Sequence, residues 1–137
     1  MRTFGRREPF LDTPWDEIHT FLSALAEKAP QFGHMVAVAE SVIASSSTDL
    51  LAGTTSMHDI LVVPRPVPEP PYDVIAVRSP SSLRRPANGM VRIEHLSSSG
   101  RNDLIDRPVA DAVPLFWRFV LEKYGLRPRS VLPGGGY

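Results

Sequence analysis

Two histidine–carboxylate pairs, His58-Asp59 and Glu94-His95, carry the most versatile chemistry in this sequence. If their strands were neighbours in a sheet, the imidazole and carboxylate groups could bind a divalent metal or relay a proton. No two of the four histidines stand at the i, i+2 or i, i+4 spacing that presents two metal ligands on one face. His58, Asp59 and His95 are the candidates for catalysis. In the simpler interpretation, His95 points inward and is hydrogen-bonded, and the other charges lie on the surface without forming a site. We predict no metal and no cofactor.

Four arginines form a second candidate site, for anions. They lie in or beside predicted loops that could share one end of a sheet, and guanidinium groups hold phosphate and carboxylate well. The simpler interpretation is a solvated set of loops with salt bridges to Asp103 and Asp106. The candidate anion-binding residues are Arg84, Arg85, Arg101 and Arg107.

The last predicted helix is unusually rich in large apolar residues, which crowd positions 115–124. One stripe of a helix is enough to cover one face of a sheet. The surplus apolar surface must therefore be covered by the first helix, by the tail, by a second subunit or by a partner. The candidate partner-binding residues are Phe116, Trp117, Arg118, Phe119, Leu121 and Tyr124.

Composition excludes several classes of protein. The 137 residues contain 15 basic and 15 acidic side chains, so the strongly basic surface typical of nucleic-acid binding is missing and we expect no such partner. There is no cysteine, which excludes thiol nucleophiles and disulfides. Phosphate-binding loops, nucleophile elbows, dinucleotide fingerprints and zinc-protease motifs are also absent. The sequence does not decide whether the chain is an enzyme, although these absences favour a non-enzyme.

Targeting signals and residue usage predict a setting for the chain. No stretch is long and apolar enough to span a membrane, and the N-terminus lacks the apolar run of a secretion signal. Of the 15 basic residues, 13 are arginine, which together with frequent alanine and proline is typical of a GC-rich bacterial genome. We therefore expect a cytoplasmic bacterial protein without membrane association.

Hydrophobic periodicity and breaker residues predict the elements. An amphipathic helix begins at a Thr13 cap and ends at Pro30. Segment 34–45 favours a strand through its β-branched residues, with helix as the alternative, and three clearer strands follow. Asp106 opens a helical tract that should break at Pro114, and Gly125 closes the last helix. The three clearer strands are 57–63, 72–77 and 90–96.

This order predicts an α+β fold: an antiparallel, meander-like sheet of about four strands, flanked by an N-terminal and a C-terminal helix. We expect a flexible arm over 1–12, a single domain over 13–126 and a disordered Pro/Gly-rich tail over 127–137.

The leading hypothesis is a small protein-interaction module, acting as an inhibitor, immunity factor, chaperone or scaffold. It would bind a protein partner or a second copy of itself through the apolar final helix and an exposed sheet edge. The alternative is a small-molecule or anion-binding protein, or an enzyme, that uses His58, His95 and the arginine-bearing loops.

Overall fold

Three α-helices and one five-stranded sheet make up residues 8–130, the part of the chain that the computed structural model describes. The predicted α+β class is confirmed, with one more strand and one more helix than expected. None of the helices in this range is long and apolar enough to cross a membrane. The helices are α1 (Trp15–Lys28), α2 (Gly33–Ala44) and α3 (Ala112–Tyr124), and the strands are β1 (Leu51–Ser56), β2 (Asp59–Pro64), β3 (Val74–Arg78), β4 (Met90–Leu96) and β5 (Asp103–Pro108).

The sheet is an antiparallel meander in the order β1-β2-β3-β4-β5. Because successive strands reverse direction, their connections alternate between the two ends of the sheet. The turn at 57–58 and the loop at 79–89 lie at what we call the first end. The loops at 65–73 and 97–102 lie at the second end. This arrangement decides which predicted site residues can meet.

The helices cover one face of the sheet and enclose the main core. Trp15 begins α1 and lies against β1, where its indole Nε1 donates to the Leu51 carbonyl at 2.8 Å. The ring fits because β1 carries Gly53, where a Cβ would stand only 2.7 Å from a Trp15 ring carbon. Thr13 does not cap α1 as predicted, since its hydroxyl instead pairs with that of Thr54 at 2.9 Å.

The opposite face of the sheet is half apolar and half charged. Towards the second end, Leu61, Val63 and Tyr72 form a smaller cluster against which Phe10 and Val67 pack. The described part of the N-terminal arm therefore takes part in packing. Towards the first end, the same face carries an ion-pair network that the 79–89 loop covers.

Segment 34–45 is a helix, so the strand prediction was wrong. Met35, Val38, Ala39 and Val42 are all buried. Their spacing follows the helical repeat, and it outweighs the strand preference of the β-branched residues. Helix α2 buries this stripe against α1 and α3. These contacts are between distant parts of the chain, so a local reading of the sequence does not show them.

Predictions for three other parts of the chain also differ from the structure. No element is predicted between residues 46 and 56, yet Leu51–Ser56 is strand β1. Asp106 does not start a helix, because Asp103–Pro108 is strand β5 at the edge of the sheet. Pro114 does not break α3, since it lies in the first turn, where a backbone N–H has no partner within the helix. Gly125 closes α3 as predicted, with a φ of 69°.

Candidate functional site: an apolar groove beside the last helix

Helix α3 turns most of its aromatic surface inwards. Phe116 and Phe119 belong to the main core and are 0% and 2% exposed. Trp117 is also buried, and its indole Nε1 donates to the Ser41 hydroxyl on α2 at 3.0 Å. The second helix and the sheet thus cover much of the apolar surplus that the sequence shows.

After Gly125 the chain reverses and runs back beside α3. Residues up to Ser130 are held on the loop between α2 and β1. The backbone N–H of Arg129 donates to the Ser47 hydroxyl at 2.9 Å, and its guanidinium forms two bonds with Asp49 at 2.9 and 2.6 Å. The N–H of Ser130 donates to the Ser45 carbonyl at 3.1 Å. This part of the predicted tail is therefore fixed in place.

A groove of about 300 Å³ remains between α3 and the returning chain. Its surface is almost entirely apolar, and Trp117 lies at its base. Leu121 is the part of α3 that stays 37% exposed there. The lining residues are Pro114, Trp117, Arg118, Leu121, Leu126, Arg127 and Pro128.

Two arginines give the groove its electrostatic character. Arg118 pairs only with Glu122, one turn along α3, at 3.2 Å and with both side chains largely exposed. Such a surface pair contributes little and is easily exchanged for another carboxylate. Arg127 forms no ion pair with any residue between 8 and 130. An apolar groove flanked by cationic groups suits an apolar side chain that has acidic neighbours.

The predicted partner-binding residues divide into two sets. Trp117, Arg118 and Leu121 line the groove. Phe116 and Phe119 lie in the core, and the Tyr124 hydroxyl donates inwards to the Val62 carbonyl at 2.8 Å. Burial raises the pKa of Tyr124 above its usual range.

Sequence reasoning missed the other half of the groove. Leu126, Arg127 and Pro128 were assigned to the end of the domain and the tail. The sequence signal that could have placed these residues beside α3 is Gly125, because a left-handed glycine after a helix sends the following residues back along it.

The two candidate histidines lie at opposite ends of the sheet. His58 is in the turn between β1 and β2, where its Nδ1 bonds the Ser81 hydroxyl at 2.7 Å. Phe32 meets the His58 ring edge-on at 5.5 Å between centroids. His95 lies near the second end, with its ring 6.4 Å from that of Tyr124 and its Nε2 3.8 Å from Asp73. The structure therefore does not bring the two imidazoles together.

Asp59 and Glu94 do converge, although their strands are separated by β3. Arg78 of β3 bridges them, with Nε 2.7 Å from Glu94 and Nη1 3.1 Å from Asp59. Arg84 adds two bonds to Glu94 at 2.8 and 2.6 Å. Asp59 also accepts from the Ser79 N–H and the Ser82 hydroxyl, both at 2.8 Å.

This network has the character of a structural support. Glu94 is only 2% exposed. Burial alone would raise its pKa, but the hydrogen bonds and charges of Arg84 and Arg78 outweigh burial and hold the pKa below its usual range. The carboxylate stays ionised and fully engaged, and it anchors the 79–89 loop over the charged half of the sheet.

The four candidate anion-binding arginines do not form one cluster. Arg84 is committed to Glu94, and Arg85 reaches the Ser82 carbonyl at 3.4 Å. Arg107 of β5 lies near the same end of the sheet, and its Nη1 donates to the Asp106 carbonyl at 2.9 Å. Arg101 is exposed in the 97–102 loop at the other end. The predicted salt bridge to Asp106 comes instead from Arg92, with two bonds at 2.9 and 3.0 Å.

Within residues 8–130, no group of three or more histidine and carboxylate side chains is arranged to hold a metal ion. The chain was also compared with family models, curated proteins and solved structures, and no significant match was found.

Proposed function

We propose that this chain is a protein-interaction module whose groove beside α3 receives a short segment of a partner protein. The segment carries an apolar side chain next to one or more carboxylates. The observation that carries the proposal is the apolar groove over Trp117, flanked by Arg118 and Arg127. The role would be that of an inhibitor, immunity factor, chaperone or scaffold.

The shape of the groove supports binding of a side chain better than binding of a flat surface. One wall is a helix packed into the core, and the other is a segment tied down by the Arg129–Asp49 pair. Both walls are preformed, so a ligand does not have to order them on binding. An apolar side chain that enters loses contact with water, at about 25 cal/mol per Å² of buried apolar area.

Charge supports an acidic partner. The chain as a whole is neutral, so long-range attraction does not select the sign of a ligand. Selection is local, because Arg127 has no carboxylate partner in the described chain and Arg118 has only an exposed one. An acidic segment gains two charge-assisted contacts there, whereas a basic segment meets like charge. The arginine-rich composition supports a bacterial origin.

Selection from a library of short random peptides tests the proposal. The immobilised full-length chain should enrich peptides that combine an apolar residue with aspartate or glutamate. Binding of the enriched peptides should fall strongly in Leu121→Glu and in Arg127→Glu. The matched controls are Leu83→Glu, a 92% exposed leucine far from the groove, and Arg101→Glu. Both should bind like the original chain.

Three outcomes would count against the proposal. The library could yield no enriched class, the enriched peptides could lack acidic residues, or binding could fall equally in the control variants. A chain that ends at Ser130 tests a further alternative, in which residues 131–137 of the chain itself fill the groove. If only the shortened chain binds peptide, residues 131–137 occupy the groove and an external partner does not.

A further inference from the structure

The β5 edge of the sheet is open, whereas the β1 edge is partly covered. At β1, the backbone N–H of Thr13 donates to the Gly53 carbonyl at 2.9 Å. At β5, no segment of residues 8–130 pairs with the side that faces away from β4. An uncovered edge strand presents backbone donors and acceptors that another strand can join.

The register shows which backbone groups of β5 point outwards. The N–H of Val109 donates to the Gly89 carbonyl at 3.0 Å, and bonded pairs recur every second residue of an antiparallel ladder. Leu104 and Asp106 therefore direct their backbone groups away from β4. Consistent with this, the Asp106 carbonyl accepts the Arg107 guanidinium and not a group of β4.

We propose that a second copy of this chain pairs with β5 in antiparallel orientation, about a twofold axis through Ile105. Leu104 of each copy then exchanges backbone hydrogen bonds with Asp106 of the other, whose carbonyl uses its second lone pair because the first accepts its own Arg107. The two sheets join into one continuous sheet. This surface lies apart from the groove, so the proposal does not depend on the function proposed above.

Charge complementarity selects this register. It places Asp103 of each copy, a half-exposed carboxylate that also pairs with Lys123 of its own chain, opposite Arg107 of the other copy. These are positions where facing side chains of an antiparallel pair lie closest. If the partner strand is shifted by two residues in one direction, to the next bonded pair, Asp106 of one copy lies opposite Asp106 of the other. If the partner strand is shifted by two residues in the other direction, Arg107 of one copy lies opposite Arg101 of the other. Both neighbouring registers therefore oppose like charges.

An exposed apolar side chain adds to the same surface. Leu104 is 44% exposed in the single chain. In the proposed pairing the two Leu104 side chains lie diagonally across the twofold axis, within reach of each other. Pro108 ends the strand and has no N–H to leave unpaired, which keeps the shared ladder short.

Sedimentation equilibrium of the full-length chain over a concentration series tests this dimer with charge-reversal variants. The original chain should show a reversible monomer–dimer equilibrium. Asp103→Arg and Arg107→Asp should each weaken dimerisation by about tenfold or more, because each variant sets like charges opposite each other. An equimolar mixture of the two variants should associate again, since opposite charges then face each other at both positions.

The controls are Glu27→Arg on α1 and Arg85→Asp in the 79–89 loop, which reverse exposed charges outside β5 and should dimerise like the original chain. A chain that remains monomeric at every concentration would overturn the proposal. So would a dimer that both edge variants leave unchanged, or two edge variants that fail to associate when mixed. Leu121→Glu should leave the dimer intact. A negative result for peptide binding in the groove can therefore be distinguished from a negative result for dimerisation through β5.

Discussion

The indole nitrogen of Trp117 donates to the hydroxyl of Ser41 at 3.0 Å, joining α3 to α2 beneath the groove. The same hydroxyl donates to the Val38 carbonyl at 2.7 Å, so its position is fixed by α2 itself. The base of the groove is thereby held by a bond between two helices.

Replacement of Ser41 by alanine should leave the Trp117 N–H buried without its acceptor. We expect the free energy of unfolding to fall by about 1–3 kcal/mol, measured by urea denaturation. Ser23→Ala is the control, because Ser23 lies on α1 and makes no such bond. Equal stability of the two variants would show that the bond contributes nothing.

Part of the fold was predictable from the apolar stripes of the first and last helices and from the alternation of apolar and charged residues along β4. Val91 and Ile93 point to the helices while Arg92 and Glu94 point away, as an alternating strand requires. β5 was missed because Leu104 and Ile105 are its only large apolar residues and it lies at an edge, where burial imposes no pattern. Helix α2 was missed because its β-branched residues favour a strand locally and only tertiary packing decides otherwise.

The candidate site was predictable only on its helical side. Trp117, Arg118 and Leu121 were identified from apolar density. Leu126 and Arg127 could not be placed against them, because the contact of Arg129 with Asp49 joins residues 80 positions apart. Convergence of Asp59 with Glu94 likewise depends on Arg78, a residue that no motif or spacing in the sequence singles out.

Removal of the charge of Glu94 should destabilise the fold strongly. Glu94→Gln leaves Arg78, itself 6% exposed, without its closest carboxylate. We expect a loss of about 3 kcal/mol in the free energy of unfolding, measured by urea denaturation. Glu122→Gln removes the exposed partner of Arg118 and should cost less than about 0.5 kcal/mol. Comparable losses in the two variants would contradict a supporting role for the buried network.

Acidification should weaken the fold through His34. Burial, only partly offset by a hydrogen bond that the ring donates to the Gln31 backbone, lowers the pKa of this histidine below its reference value of 6.5. The unfolded chain therefore takes up this proton more readily than the folded chain. Its contribution to stability is present above pH 6.5 and is lost as the pH falls below that value.

An NMR titration of the histidine ring protons checks this prediction. The midpoint for His34 should lie below 6.5 in the folded chain. His34→Gln should also lose less stability than the original chain between neutral and mildly acidic pH. A His34 midpoint at or above the reference value would contradict the assignment.

Close packing of Trp15 on β1 should make Gly53 intolerant of any side chain. A Cβ at this position would stand 2.7 and 2.8 Å from two Trp15 ring carbons. We expect Gly53→Ala to lower the free energy of unfolding by about 1–3 kcal/mol. Gly33→Ala on α2 meets nothing within 4 Å and should be neutral or stabilising. Thermal unfolding of both variants provides the comparison.

Peptide binding in the groove is tested most directly by an NMR titration that follows the two indole N–H signals. The probe is a synthetic peptide, blocked at both ends, in which leucines alternate with glutamates. The Trp117 signal should move with added peptide while the Trp15 signal stays in place, and Leu121→Glu should abolish the shift. If neither indole signal moves, or if Leu121→Glu responds like the original chain, the groove is not the binding site.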